Sequence, residues 1–401
     1  MPRFGATATS RDDLRVRNLR AVLDAIHQYG PVSRSALRDR LGLSAATLTS
    51  ISGDLIGEGI VVEAEEGRSD RAGRKPILLA VDYDHAHVVG VKVGRRGATL
   101  ALTNLRAEVL ATDEIELPDR YPDAVAEAIA AAAEALRAAH AGRLGRFAGL
   151  GLSLPGIVDP EAGQVRHSPY DAWNGVPFAR MLEARLGAPA LLENDVNALA
   201  IGEAWFGAGR GHEDFLVVTL GRGVGLGVVI GGDLYRGPRG GAGELGHAPL
   251  HRTGSGAVRT VEDLLSDEAI VRSANAARGA DGPDADGPRG DFADAEAVVA
   301  AADAGDAAAR RALADAGDAL GLLLALLADV FAPSLIVLGG EGVRAAEHLL
   351  PPARAALAET AFGDLGRRLE LRVDAWGDDA WARGAAGLAA SRYLADVDVG
   401  R

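Results

Sequence analysis

One stretch constrains the fold of this chain more than any other. Leu191 and Leu192 run into the polar sequence Glu193-Asn194-Asp195-Val196-Asn197, and a run of small residues follows as far as Ala208. This order predicts a strand end, a polar turn and a helix, and open α/β sheets bind ligands beyond the carboxyl ends of their strands. Asp195 is therefore a candidate general base, with Asn194 holding a hydroxyl. The alternative is that the polar residues only cap the helix.

Composition narrows the class of protein. The 401-residue chain contains no cysteine, which excludes disulfides and thiolate metal sites and leads us to expect a cytoplasmic protein. It has no apolar run long enough to predict a membrane span, and its first 20 residues lack the apolar core of a secretory signal. The net charge of −14 argues against nucleic-acid binding by the whole surface. Residues 1–80 differ, since they carry 12 Arg and Lys but 10 Asp and Glu residues.

The N-terminal segment has the pattern of a winged helix-turn-helix. Apolar spacing and capping residues predict helices over 16–28, 34–41 and 45–56, with Gly42 breaking the chain between the second and third. Apolar residues 59–63 and 76–80 then predict a β-hairpin with a basic tip. We expect DNA contacts from the third helix and from the hairpin tip: Ser44, Ala45, Thr47, Thr49, Ser50, Arg71, Arg74 and Lys75. The alternative is a generic three-helix interaction module with a solvated hairpin.

The rest of the chain predicts an α/β architecture in two similar parts. Strand and helix patterns alternate on both sides of the polar turn, and we expect a ligand cleft between the parts. The predicted boundaries are a DNA-binding domain at 1–80, a first lobe at 81–200 and a second lobe at 201–401, whose C-terminal helix could pack on the first lobe. Residues 273–295 are rich in Ala, Gly, Asp and Pro and predict a flexible insertion.

Three motifs together resemble those of the ROK family of bacterial sugar kinases and sugar-responsive repressors. They are Glu193 to Ala198, the alternating glycines from Gly221 to Gly227, and Gly240 to His247 with the core Gly243-Glu244-Leu245-Gly246-His247. The N-terminal segment resembles that of the repressor branch. The resemblance implies two actin-like, ribonuclease H-like lobes with a sugar in the central cleft, and a homodimer or homotetramer. It assigns sugar binding to Asn194, Asp195, Glu244, His247 and Glu262, with Asp195 the base in kinase members.

Two departures from the family pattern bear on function. The zinc motif of the family has three cysteines after the histidine, whereas the region after His247 has none, so we expect no structural zinc and no other cofactor. The phosphate motif Asp-x-Gly-Gly-Thr is replaced by Lys92-Val93-Gly94-Arg95-Arg96, and Gly-Thr-Gly by Gly221-Arg222-Gly223. Because phosphoryl transfer depends on positioned metal and phosphates, these changes argue against catalysis.

The sequence therefore predicts a transcriptional regulator, most simply a repressor, that binds operator DNA and a sugar or sugar-phosphate effector. An ATP-dependent sugar kinase with an accessory DNA-binding domain is the alternative, and a regulator with a vestigial cleft is a third. If Lys92, Arg95, Arg96 and Arg222 lined the cleft, they would favour an anionic ligand. The alternative for these arginines is that they are solvated turn residues.

Overall fold

The computed structural model describes residues 11–64, 76–94, 97–117, 120–169, 171–252, 254, 256–280, 291–373 and 380–397. The N-terminal unit consists of helices α1 (Arg11–Tyr29), α2 (Arg34–Leu41) and α3 (Ala45–Gly57) and a sheet of β1 (Val32–Ser33), β2 (Val61–Ala64) and β3 (Leu78–Val81) in the order β1-β3-β2. The bounds of α2 and α3 agree closely with the prediction. The hairpin tip, with Arg71, Arg74 and Lys75, lies outside the described residues.

Local chemistry sets the turn between α2 and α3. Gly42 adopts a left-handed conformation at φ 66°, where its missing Cβ removes the steric penalty, and its N–H donates to the carbonyl of Arg38. The Ser44 hydroxyl then accepts the N–H of Thr47 at 3.1 Å and starts α3. The two helices meet over the buried side chains of Leu37 and Leu48.

The first lobe is a five-stranded sheet in the order β10-β7-β4-β5-β6. Strands β4, β5 and β6 form an antiparallel meander, and β7 and β10 continue the sheet in parallel. Its elements are β4 (Ala86–Val93), β5 (Gly97–Asn104), β6 (Val109–Glu116), α4 (Pro122–His140), β7 (Arg146–Leu154), β8 (Ile157–Asp159), β9 (Gln164–His167), α5 (Phe178–Leu186) and β10 (Ala190–Asn194).

The second sheet repeats this order. Strands β11, β12 and β13 are antiparallel, and β16 and β17 extend the sheet in parallel, giving β13-β12-β11-β16-β17. The remaining elements are α6 (Asp195–Phe206), β11 (Phe215–Thr219), β12 (Gly225–Ile230), β13 (Asp233–Leu234), β14 (Pro249–Arg252), β15 (Val258–Thr260), α7 (Glu262–Leu265), α8 (Asp267–Ala280), α9 (Ala295–Asp303), α10 (Ala307–Phe331), β16 (Leu335–Gly339), α11 (Ala346–Thr360), α12 (Leu365–Arg368), β17 (Glu370–Val373) and α13 (Ala380–Ala395). The repeated strand order is the two-lobed α/β fold that the sequence predicts.

Two helices fill the space between the lobes and the N-terminal unit. Helix α13 returns from the second sheet and packs on β4 and β7 of the first, and it also packs along α6. Two glycines allow this contact to be close. A Cβ on Gly90 would lie 1.9 Å from the carbonyl oxygen of Ala382, and one on Gly151 would lie 1.8 Å from the carbonyl oxygen of Ala385. The core of the N-terminal unit is continuous with this region through buried residues of β4 and α13.

One sequence-based expectation needs correction. Residues 273–280 belong to α8 and are not part of a flexible insertion, and residues 281–290 lie outside the described residues. The buried Ala274 and the hydrogen bonds between the side chain of Asn275 and the backbone of Phe292 tie this helix to the second-lobe core. Composition misled because alanine and glycine are abundant throughout this chain, inside helices as well as in loops.

Candidate functional site

A cleft of about 930 Å³ lies where the two sheets face each other. It is lined by the end of β4, the start of α6, the glycine-rich turn before β12 and the loop that carries Glu244 and His247. All five residues that the family resemblance assigns to sugar binding line this one cleft: Asn194, Asp195, Glu244, His247 and Glu262.

Asn194 is the N-cap of α6, as the capping interpretation predicts. Its Oδ1 accepts the N–H of Asn197 at 3.1 Å, and its Nδ2 donates to the carbonyl of Gly156 at 3.0 Å. Asp195 begins the helix, and its Oδ1 accepts the N–H of Val196 at 2.9 Å. Capping and ligand binding are therefore compatible, because the cap fixes the turn that directs Asp195 into the cleft.

A cation from the first sheet meets Asp195. The ammonium of Lys92, near the end of β4, donates to Oδ2 of Asp195, and the two side chains are 17% and 18% exposed. The same ammonium lies 4.8 Å from the ring centroid of Trp381, at the start of α13. Lys92 is one of only two lysines in the chain.

Glycine lets the loop of Glu244 lie closely against β12. Gly243 has φ 91°, and a Cβ there would lie 2.0 Å from the carbonyl oxygen of Leu226. Oε1 of Glu262 accepts the N–H of Val224 at 3.2 Å, while Oε2 of the same carboxylate lies 4.0 Å from Nδ1 of His247. These contacts hold Glu262 in the cleft without any cysteine.

The electrostatic environment of the cleft acts on Glu244. Burial raises the pKa of its carboxyl above the ordinary value of 4.5, and the negative charges of Asp195 and Glu262 raise this pKa further. Two histidines, His247 and His167, oppose that shift. Several carboxylates therefore line the cleft, and their oxygens are acceptors suited to the hydroxyl groups of a polyol.

Arg222 also lines the cleft, but it faces solvent. Its side chain is 67% exposed, and its Nε lies 3.4 Å from Oε1 of Glu341. Arg95 and Arg96 lie outside the described residues. Of the two cationic side chains that the structure describes here, Lys92 contacts a predicted ligand-binding residue and Arg222 does not.

The predicted DNA-contacting residues lie on α3 and at its cap. Ser44, Ala45, Thr49 and Ser50 are exposed and Thr47 is partly exposed, whereas Leu48 faces the core. Two hydroxyls already have partners, since Thr49 Oγ1 donates to the carbonyl of Ala45 at 2.8 Å and Ser44 caps the helix.

Two features, one in the cleft and one beside it, were not predicted from the sequence. Trp381, near the C-terminal end of the chain, lines the cleft, and no local sequence pattern predicts this position. Glu193 is buried, with 1% of its side chain exposed, and its Oε2 accepts from Nε of Arg236 at 2.7 Å, which ties the end of β10 to the loop after β13. A charged residue closing an apolar strand was the available signal for Glu193.

Within the described ranges no group of three or more His, Asp or Glu side chains has the geometry to hold a metal ion. No helix in the described part of the chain has the length and apolar character needed to cross a membrane.

Comparisons with known proteins give a consistent result. The DNA-binding transcriptional dual regulator NagC of Escherichia coli (strain K12) is 29% identical over 356 residues, which are 88% of this chain and 87% of that protein. A crystal structure of a ROK family transcriptional regulator, a homologue of the E. coli MLC protein, superposes with a TM-score of 0.81 at 26% identity and covers 95% of this chain and 97% of that one. A ROK family glucokinase from Streptomyces griseus, in complex with glucose and AMPPNP, gives a TM-score of 0.63 at 29% identity and covers 76% of this chain and 99% of its own.

The family model extends over most of both lobes. It matches residues 88–392, from the first strand of the first sheet into the C-terminal helix α13. The chain belongs to the ROK family.

Proposed function

We propose that this protein is a sugar-responsive transcriptional regulator, most simply a repressor, whose affinity for operator DNA falls when a sugar or sugar phosphate binds between the lobes. The observation that carries the proposal is the convergence of Asp195, Glu244, His247 and Glu262 in one cleft of a chain that also holds the three-helix N-terminal unit. Similarity to a regulator along nearly the whole chain supports it, because the glucokinase covers only 76% of the chain.

The N-terminal unit is the proposed winged helix-turn-helix. Helix α3 presents small, uncharged residues on an exposed face, which allows close approach to the edges of bases in a major groove. Strands β2 and β3 pair in antiparallel register from Val61–Val81 to Ala64–Leu78, and the sequence segment between them contains Arg68, Arg71, Arg74 and Lys75. Arginines and Lys75 in that segment supply the attraction to phosphate that the uncharged face of α3 lacks.

The same cleft argues against phosphoryl transfer. In a kinase, Asp195 would accept the proton of the attacking sugar hydroxyl, and a bound metal would neutralise the phosphates. Here the ammonium of Lys92 donates a hydrogen bond to Oδ2 of Asp195. Lys92 lies in the segment where the family's phosphate motif has an aspartate. Glu341 stands beside the second glycine turn and adds a negative charge where phosphate would approach Gly221. We therefore propose that the cleft binds its ligand and leaves it unchanged.

Sugar binding is proposed to act by closing the cleft. Asp195 directly follows β10 of the first sheet, whereas Glu244 and His247 lie on a loop of the second lobe and Glu262 begins α7, so a ligand held by both sets draws the lobes together. A ligand shifts a conformational equilibrium only by its difference in affinity between the two states. A coupling of about 1–3 kcal/mol, or roughly 5- to 150-fold in DNA affinity, is sufficient for regulation.

We propose that a second copy of the chain packs on helix α10. Leu322, Leu326 and Val330 recur at four-residue spacing on its surface and are 49%, 52% and 64% exposed, and Phe362, 80% exposed, lies beside them through a hydrogen bond from its N–H to Asp329. A row of exposed apolar side chains of this kind marks an interaction surface. Two-fold pairing suits a helix-turn-helix protein, because it lets two recognition helices bind two half-sites.

DNA binding by the N-terminal unit is tested by selecting sequences from genomic fragments with the full-length protein. Thr49→Glu adds a negative charge to the proposed recognition face and is expected to abolish retention. Thr112→Glu makes the same substitution on the exposed edge strand β6 and serves as the matched control. Equal retention by wild type and Thr49→Glu would refute the assignment of α3 to DNA contact.

A further inference from the structure

Helix α6 packs against both lobes and against α13, and its first turn lines the cleft. It has 12 residues, so at 1.5 Å per residue it is about 18 Å long. Asp195 stands at its cleft end, and Trp205 and Phe206 stand at the other. Every residue from Asn197 to Glu203 is buried, which means that the helix contacts neighbours all around its middle.

One face of α6 is closely packed against β12 of the second lobe. A Cβ on Gly225 of β12 would lie 2.4 Å from Cγ2 of Val196, and one on Gly227 would lie 2.7 Å from Cβ of Ala200. The alternating glycines of this strand therefore serve close packing against α6. Since packed interiors transmit displacement instead of absorbing it, movement of β12 relative to the first lobe must displace α6.

A second face of α6 is packed just as closely against α13. A Cβ on Gly384 would lie 2.9 Å from the carbonyl oxygen of Ala198, and one on Gly387 would lie 3.3 Å from the ring of Phe206. Helix α13 itself runs from Trp381 at the cleft to Leu394 in the core of the N-terminal unit. Both helices therefore begin at the ligand cleft and end against the core of the N-terminal unit.

The far end of α6 meets helix α1 of the N-terminal unit through aromatic side chains around His27. The His27 ring lies 4.6 Å from Trp205 and 5.9 Å from Phe206, centroid to centroid. Tyr83 OH lies 2.9 Å from Nδ1 of His27, and just beyond α6 the side chain of Arg210 donates to the carbonyl of Gln28 at 3.4 Å.

We propose that α6 is a mechanical link between the sugar cleft and the DNA-binding unit. The contact of Trp205 with His27, which we call the joint, transmits the conformational change of the cleft to that unit. The proposal rests on the proposed function, and it specifies how that function is regulated. Trp205 and His27 are positioning residues here, since neither touches DNA or lines the cleft.

Hydrogen exchange on the full-length protein tests the joint without any knowledge of the operator. The probes are D-glucose, D-xylose, N-acetyl-D-glucosamine and their phosphates, with binding measured by calorimetry. In the wild type, a sugar that binds is expected to change amide protection in α6 and in α1. In Trp205→Leu the change in α6 persists and that in α1 disappears. Trp173→Leu, which removes a buried tryptophan of the first-lobe core, is the matched control and keeps both changes.

A second arm needs no sugar. Gly225→Ala places a methyl group against Val196 and is expected to alter protection in α1, whereas Gly142→Ala, which meets nothing within 4 Å, leaves α1 as in the wild type. Adding Trp205→Leu to Gly225→Ala should remove the effect on α1. The thermal midpoint of each variant verifies that it is folded, and His27→Ala provides an independent break at the other side of the joint.

These experiments distinguish failure of the joint from failure of the proposed function. If α1 responds to Gly225→Ala or to a sugar and the response survives Trp205→Leu, the joint is wrong whatever the sugar does to DNA. If α1 responds through Trp205 while DNA affinity is the same with and without sugar, the joint stands and the proposed function fails. If α1 responds to neither perturbation, α6 is not a link and the inference is overturned.

Discussion

Lys92 and Asp195, 103 residues apart in the chain, form an ion pair inside the cleft between the lobes. The pair fixes the carboxylate that leads α6, so a ligand that hydrogen-bonds to Asp195 also lies beside an ammonium group. Both side chains are largely shielded from water, which strengthens their hydrogen bonds to any ligand that displaces the remaining solvent.

Asp195→Asn is expected to weaken sugar binding at least tenfold. The substitution keeps the shape of the side chain but removes the charge, and hydrogen bonds to charged groups contribute about 1.5–3 kcal/mol. Calorimetric titration with the bound sugar measures the loss. Asp159→Asn, at a surface carboxylate of the same lobe paired with Arg166, is the control and should bind sugar as the wild type does. Unchanged affinity in Asp195→Asn would remove this residue from the ligand site.

His27 should make the folded protein acid-sensitive. Burial and the nearby cations Arg210 and Arg106 lower its pKa from 6.5 to about 4 in the folded state. Between pH 6.5 and 4 the unfolded chain therefore takes up a proton that the folded chain excludes, and stability falls as pH falls, by about 1.4 kcal/mol per unit. The lost stability is fully restored above pH 6.5.

His27→Gln cannot take up this proton, so its stability should depend less on pH in that interval. The measurement is the free energy of unfolding at pH 7 and pH 4.5 for both proteins. His87, whose pKa burial also lowers, contributes equally to both and cancels in the comparison. The same loss of stability in His27→Gln as in the wild type would show that His27 is protonated freely in the folded protein.

Gly90→Ala is expected to destabilise the protein by about 2 kcal/mol or more. The new methyl group would lie 1.9 Å from the carbonyl oxygen of Ala382, and neither β4 nor α13 can move without disturbing a packed core. Thermal unfolding followed by circular dichroism measures the effect. Gly142→Ala should leave the midpoint almost unchanged, because a methyl group there meets open space. Equal midpoints for the two variants would contradict the close packing of α13 on the first sheet.

Leu326→Glu is expected to separate the proposed dimer into monomers. It places a charge in the middle of the apolar row on α10, where two copies would otherwise exclude water. Light scattering after gel filtration gives the mass in solution. Leu110→Glu alters an exposed leucine of similar accessibility on β6 and should keep the mass of the wild type. A dimer that survives Leu326→Glu would locate the interface elsewhere.

Local chemistry made much of the fold and of the site predictable. Leucines ending at Glu193 predict the strand, Asn194 predicts the cap, and Gly42 predicts the break before α3, because each is determined by its immediate neighbours. The alternating glycines near Gly225 predict close approach of some element, although only the structure identifies that element as α6.

The remaining features depend on the tertiary arrangement. No local pattern joins Lys92 to Asp195, because their meeting depends on β4 and β10 flanking β7 in the first sheet. Trp381 reaches the cleft only because α13 packs on that sheet. The sequence suggested an anionic ligand from the positive charges of Lys92, Arg95, Arg96 and Arg222, of which the structure describes Lys92 and Arg222. Each of these two faces a carboxylate in the structure, which weakens that argument.

Coupling between sugar binding and DNA binding can be measured by fluorescence anisotropy. A labelled fragment from the region upstream of the gene for this protein is titrated with the full-length chain, alone and with each sugar and sugar phosphate of the panel. The account predicts that at least one of these compounds weakens DNA binding by fivefold or more. It is contradicted if a sugar binds with no change in DNA affinity, or if the protein releases ADP from ATP in the presence of that sugar and Asp195→Asn abolishes the release.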